Sequence, residues 1–327
     1  MLKASVAPHL REVHHPFYQS AGVLLCLAAV TGFSCLYFGW RPLLLVLAGM
    51  LSAVIVETLC CSFRLKPPTV TDGTAAVTGA LIGAMMSPLT PFWVPAIGAA
   101  FAIGVAKMPF GGFGRNIFNP AAAGVAFCAI CFPTRLFTYP DTAQSTVLPL
   151  LDTSSVITAI SPSAQLSSGG VTSYNWLSLI SGDFPGPIGS AGILVLVACA
   201  VYLFVRRSAS PLIFVPYVAV CVLWAVLFPR ADISASTSIA LELCTGLLLF
   251  SGVFLLGDPI TAPHYPPARV VYGIVAAILT MLLRRYGRFE CCDFFAVLLV
   301  NSFSAMLDRG CWHTVRYLSH VWEVHRR

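Results

Sequence analysis

Residues 111–124 read GGFGRNIFNPAAAG, and they stand between the apolar stretches WVPAIGAAFAIGVA (93–106) and VAFCAICF (125–132). Four glycines, an arginine, two asparagines and a proline make a poor lipid-facing helix. Irregular backbone at membrane depth is tolerated only where protein buries it or water reaches it. The segment is therefore read as an interruption folded into the protein interior. Glycines 111, 112 and 114 permit positive φ and close backbone approach. Asn116 is read as the cap of the following helix, with Pro120 in its first turn. The N-terminal end of that helix, reinforced by Arg115, favours an anionic or electron-rich group. A plain polar loop between helices is the competing reading.

The membrane setting follows from composition. Hydrophobic residues make up 57% of the 327-residue chain and charged residues 10%, with a mean hydropathy of +0.84. Soluble domains carry about a quarter charged residues, so the chain is read as an all-α polytopic membrane protein. Segments approaching the roughly 20 apolar residues of a span occur near 17–40, 42–63, 74–88, 91–108, 117–133, 190–205, 211–228, 239–257, 270–283 and 291–307. That gives about ten spans. No small-residue cleavage site follows the first run, which is read as a retained span.

Basic residues orient the spans. With ten spans and a cytoplasmic N-terminus, the inside holds Lys3, Arg11, Arg64, Lys66, Lys107, Arg115, Arg206, Arg207, Arg269 and four tail arginines. The outside holds Arg41, Arg135, Arg230, Arg284, Arg285 and Arg288. Thirteen against six favours this orientation, although the Arg284–Arg288 cluster runs against it. The net charge of +6 fits anchoring at an inner leaflet and calls for no nucleic acid.

The order of features is doubled. TGALIGAMMSPLTPFWVP (78–95) leads to an apolar run and then the glycine-rich interruption. TGLLLFSGVFLLGDPITAPHYPP (245–267) leads to VVYGIVAAILTMLL, then RRYGRF, then an apolar run with Asn301. Five spans per half, an odd number, put the halves in opposite orientations. Such inverted repeats direct interrupted helices at a central site. The parts are then 1–133, a first repeat with a short cytoplasmic N-terminus; 134–189, an outer loop; 190–308, a second repeat; and 309–327, a cytoplasmic tail.

Few groups carry chemistry. Glu57 and Glu242 lie inside apolar runs, where a carboxylate usually faces a partner or a polar cavity. Asp72 and Asp258 stand at span ends and read first as helix caps, second as proton or cation carriers. Most of the 12 cysteines fall inside spans and read as small buried hydrophobes,. Cys128 and Cys131 are three apart, with no second pair or histidine spacing to make a strong metal signal; no metal ligand is assigned. Segment 134–189, with TSSVITAISPSAQLSSGG (153–170) at its centre, reads as a flexible exposed loop,. No nucleophile–base pair, P-loop or dinucleotide fingerprint occurs, so no catalytic residue is assigned.

DGTAAVTGALIGAMMSP (72–88), FGGFGRNIFNPAAAGVAF (110–127) and LLGDPITAPHYPPARVVYGI (255–274) resemble one family of membrane proteins. It comprises the D subunits of Rnf electron-transport complexes and the B subunits of sodium-translocating NADH:quinone reductases. The resemblance runs in order from about residue 5 to 305, and the length is closer to that of the Rnf members. It implies ten spans in two inverted five-span repeats, and FMN held covalently through a phosphoester to the Thr of a Ser-Gly-Ala-Thr motif on the outer side. Thr158-Ala159-Ile160-Ser161 stands at that place, making Ser161 the candidate attachment residue. Ala159 and Ile160 depart from the motif, and Ser155 stands where the flavin transferase usually requires an aspartate. A second, non-covalent flavin is a further expectation. The candidate cofactor-binding set is Ser161, Arg115, Asn116, Asn119, Asp258 and Thr261.

The resemblance implies a bacterial inner-membrane, multi-pass component of a ferredoxin:NAD oxidoreductase. It would relay electrons through flavin while the assembly moves Na⁺ or H⁺. Its expected partners are other Rnf membrane subunits and flavin or iron–sulfur subunits. The reaction would belong to the complex, with no complete active site in this chain. The alternative is a channel or transporter for a small neutral solute with the same inverted-repeat architecture.

Overall fold

The computed structural model describes residues 16–65, 70–112, 114–142, 147–151, 153, 155–170, 174–231 and 233–325. Lys3, Arg11 and Lys66, used above for orientation, lie outside them, as do two of the tail arginines. The first half contains α1 (Pro16–Phe38), α2 (Arg41–Phe63), α3 (Thr74–Ala84), α4 (Trp93–Phe101, continued by a π-helical turn Ala102–Lys107) and α5 (Pro120–Cys131). The second contains α9 (Ile193–Val205), α10 (Pro211–Leu227), α11 (Ala235–Cys244), α12 (Leu248–Phe250, continued by a π-helical turn Ser251–Leu255), α13 (Pro266–Tyr286) and α14 (Asp293–His325). Between the halves lie the short helices α6 (Pro133–Leu136), α7 (Pro162–Ser167) and α8 (Trp176–Ser181), with a two-strand ladder of β1 (Tyr139–Pro140) on β2 (Thr158–Ala159).

The protein is mostly helical, and every apolar run holds a helix. Among the described residues, four helices (α1, α2, α13 and the first part of α14) are long and apolar enough to cross a bilayer,. α11 and α12 make a fifth span if counted as one, bent by 60° at their break. α3, α4, α5, α9 and α10 are apolar but shorter. An 11-residue helix such as α3 is only about 17 Å long, so chain at its ends remains at depth. The backbone answers that demand by burial: residues 85–90, which leave α3 without continuing it, are buried throughout.

Glycine lets the helices approach. A Cβ on Gly49 of α2 would sit 2.4 Å from the Gly79 carbonyl of α3, and one on Gly124 of α5 would meet the Gly98 carbonyl of α4 at 2.6 Å. Lipid supplies little hydrophobic drive between helices, so such small-residue contacts carry their association. Proline in the first turn starts α2, α5, α10 and α13, where its missing N–H costs nothing.

One expectation is corrected. The 134–189 stretch, read as a flexible loop, is packed: Leu166, Leu179 and Phe184 are buried against Leu241 and Ala240 of α11. Its serine-rich composition concealed these few anchors. α14 runs as one helix from Asp293 to His325, through most of the stretch read as a C-terminal tail.

Candidate functional site

The glycine-rich interruption opens onto a cavity of about 120 Å³, bordered by Thr74, Thr78, Lys107, Asn116, Asn119 and Asp258 among others. Asn119, not Asn116, caps α5: its Oδ1 accepts from the N–H groups of Ala121 (3.0 Å) and Ala122 (3.2 Å). Pro120 at the first helical position sets the cap one residue before it. The Asn119 amide also donates to the Leu255 carbonyl, 3.3 Å away at the end of the second-half π turn. One side chain thus joins the interruption of the first half to that of the second.

Asn116 is freed for another role. It is buried, it borders the cavity, and its Oδ1 has no hydrogen-bond partner among the described residues. A buried carbonyl oxygen left without a donor costs about 1–3 kcal/mol, so this atom asks for an N–H or O–H group in the cavity. Asp258 faces the same space from the other half. Burial raises its carboxyl above the ordinary range, against bonds accepted from the Ile260 N–H (3.3 Å) and the Thr261 hydroxyl (3.2 Å). Thr261 therefore orients Asp258. Arg115 is exposed and outside the cavity lining.

The cavity wall is mostly apolar, with one buried cation in it. Lys107, in the π turn of α4, donates to Glu57 Oε2 of α2 (2.9 Å) and to the Thr74 hydroxyl at the start of α3 (2.8 Å), all three residues being buried. π turns commonly mark functional positions, and here the turn carries the cation. Sequence reading found Glu57 but not Lys107, fifty residues away.

A second charged cluster lies at the other end of α13. Arg284, buried, donates to Asp293 Oδ1 (3.1 Å), Glu242 Oε2 (3.3 Å) and the Glu242 and Thr245 carbonyls (3.0 and 3.1 Å). It thereby satisfies carbonyls left open where α11 breaks, at Gly246 with φ +71°. Arg230 forms a two-pronged pair with Glu242 (2.5 and 2.8 Å). Arg41 does comparable work in the first half, donating to the carbonyls of Pro88, Thr90 and Leu150. Glu290, in the turn before α14, borders an outward cleft with Arg288 and Phe137. Sequence reading missed it; the only signal present is a lone carboxylate next to the adjacent cysteines 291 and 292.

Ser161 belongs to this second cluster, apart from the asparagine–aspartate set. Only 3% exposed, it caps α7 by accepting from the Ala164 N–H (3.1 Å) and donates its proton to the Glu290 carboxylate. A phosphoester on Ser161 Oγ would remove that proton and set a phosphate against a carboxylate. The residues as arranged do not fit covalent FMN at this position. Among the described residues no group of three His, Cys, Asp or Glu is placed to hold a metal ion.

Comparison with known proteins agrees with the resemblance carried by the three motifs. A family model described as "NQR2, RnfD, RnfE family" matches residues 3–315. The D subunit of the ion-translocating oxidoreductase complex of Aeromonas salmonicida is 28% identical over 89% of this chain and 92% of that protein. The D subunit of the Na⁺-translocating ferredoxin:NAD⁺ oxidoreductase complex of Acetobacterium woodii is 28% identical over 94% of this chain and 93% of its own length. The corresponding D subunit of Escherichia fergusonii is 30% identical over 88% and 90%. With the family model covering nearly the whole chain, this protein belongs to the NQR2, RnfD, RnfE family.

Proposed function

We propose that this chain is the D-type membrane component of an Rnf-like ion-translocating oxidoreductase complex, in a bacterial inner membrane, with its N-terminus cytoplasmic. The observation that carries the reading is the family match from residue 3 to 315, together with relatives named as D subunits over most of both chains. The partners are the remaining membrane and flavin or iron–sulfur subunits of such a complex, and the moved ion is Na⁺ or H⁺.

Two inverted repeats of five spans are part of the proposal. In support, α2 packs on α4 as α10 packs on α13, and α4 on α5 as α13 on α14, while α1–α9 and α5–α14 join equivalent helices across the halves. The fourth span of each half ends in a buried cation, Lys107 or Arg284, held by a buried glutamate. Burial also bears on orientation. Arg41, Arg230 and Arg284 are bonded inside the protein and not offered to headgroups. Setting them aside with the buried Lys107 leaves twelve inside against three outside,.

A non-covalent flavin is assigned to the inner cavity. Asn116 Oδ1 would accept from a ring N–H, Asn119 would hold the α5 N-terminus against it, and Asp258 would face it from the second half. A bound flavin supplies one- and two-electron exchange. The protein's part is to exclude water and to fix the ring between the two interruptions. A neutral-solute channel has less support, because the cavity is lined by the buried cation Lys107, paired behind the wall with Glu57, and by the carboxyl of Asp258.

The test is the flavin absorbance of the purified complex after acid release, in native form and as Asn116→Ala. The reading expects at least a tenfold weaker hold on one released, non-covalent flavin in the variant. Equal retention would remove Asn116 from the site.

A further inference from the structure

Ser161 and Glu290 are 129 positions apart in sequence, yet the Ser161 hydroxyl donates to the Glu290 carboxyl in a part-buried contact. The surroundings make this contact consequential. Glu242, Asp293 and Glu290 supply three carboxylates to the cluster, and Arg230 and Arg284 supply two guanidinium groups. A phosphodiester on Ser161 would add a negative charge to a site whose two guanidinium groups are already paired with Glu242 and Asp293, and buried unpaired charge is strongly disfavoured. The preceding residues are fixed as well. Ala159 pairs with Tyr139 in the β1–β2 ladder, and Ile160 is 65% exposed while Ser161 is 3% exposed. The backbone thus turns residue 160 outward and residue 161 into the cluster. α7 is held at its other end too, where Arg230 Nη1 donates to Ser167 Oγ at 3.0 Å.

We propose that in this chain Ser161 is one half of a non-covalent latch and carries no flavin: the Ser161–Glu290 and Ser167–Arg230 contacts clamp α7 over the outer charged cluster. A phosphate on Ser161 Oγ would be set against the Glu290 carboxyl that now accepts its hydrogen bond. The latch does not rest on the oxidoreductase reading or on the inner flavin; either can fail without the other.

The full chain, co-expressed with an outward-facing flavin transferase, is taken into detergent for intact-mass measurement and in-gel flavin fluorescence. The expected result is an unmodified mass and a dark band. An added FMN mass that maps to a peptide containing Ser161 overturns the proposal. Amide hydrogen exchange over 162–168 reads the latch directly. Glu290→Leu is expected to speed exchange there at least tenfold while leaving α9 and α10 unchanged, and Glu290→Gln, which keeps an acceptor, to stay near native. Unchanged exchange in Glu290→Leu overturns the latch whatever the fluorescence. Should Glu290→Leu fail to fold, Ser167→Ala gives the same reading from the other end: faster exchange supports the clamp, and native exchange rejects it.

Discussion

Glu290 lies in the turn between α13 and α14. Burial pushes its carboxyl from an ordinary 4.5 up to about 7, against the Ser161 bond and the charges of Arg284 and Arg230, with Asp293 adding to the rise. A carboxyl that holds its proton more tightly when folded stabilises the fold at low pH. That contribution is complete below about 4.5 and fades as pH rises to about 7, by at most about 3 kcal/mol. Thermal unfolding of the detergent-solubilised chain is expected to show this decline between pH 4.5 and 7, and Glu290→Gln to flatten it. Lys107 and Glu57 give a second prediction. Removing one member leaves the other charged and buried, so Lys107→Ala is expected to cost about 3–5 kcal/mol. The double change Lys107→Met with Glu57→Leu is expected to cost much less, which a thermal melt of all three proteins checks. At this scale the sequence was half legible. It exposed Glu57 and Glu242 inside apolar runs, Asn116 and Asn119 in the interruption, and Asp258 at a span end. It could not give their partners, because Lys107 reaches Glu57 and Arg284 reaches Glu242 through the fold and not along the chain.

Elements were easier to read than their ends. Each apolar run became a helix because bilayer-facing composition leaves the backbone no other way to satisfy its polar groups. The interruptions were legible for the same reason: glycine and proline cannot hide in such runs. Gly246, at φ +71°, turns the chain between α11 and α12, and a Cβ there would lie 2.6 Å from Arg284 Nη2. Gly246→Ala is therefore expected to lower stability by roughly 1–3 kcal/mol and to loosen the Arg284 contacts. The thermal midpoint, with hydrogen exchange over 242–250, measures both. The 134–189 segment resisted reading. Serine and threonine there suggested solvent, whereas its order comes from three apolar anchors and two contacts to distant charges.

Across the whole molecule, the proposed inverted repeat places Lys107 and Arg284 in corresponding positions, each with a glutamate, on opposite membrane faces. Ten spans put both chain ends on the same side, so reporter fusions at residues 1 and 327 are both expected to report cytoplasm. Ends on different sides would remove the repeat. The doubled order of Thr-Gly, proline and glycine features made this architecture visible in sequence, though the residues themselves match weakly. What sequence could not supply is the join, made by the Asn119 amide on the Leu255 carbonyl. The most direct measurement is affinity purification of the tagged chain from native membranes in mild detergent, with identification of co-purifying proteins and a flavin spectrum. The account predicts that the other oxidoreductase subunits accompany the chain, together with a flavin that acid releases from it. Recovery of the chain alone, without flavin, would contradict the account.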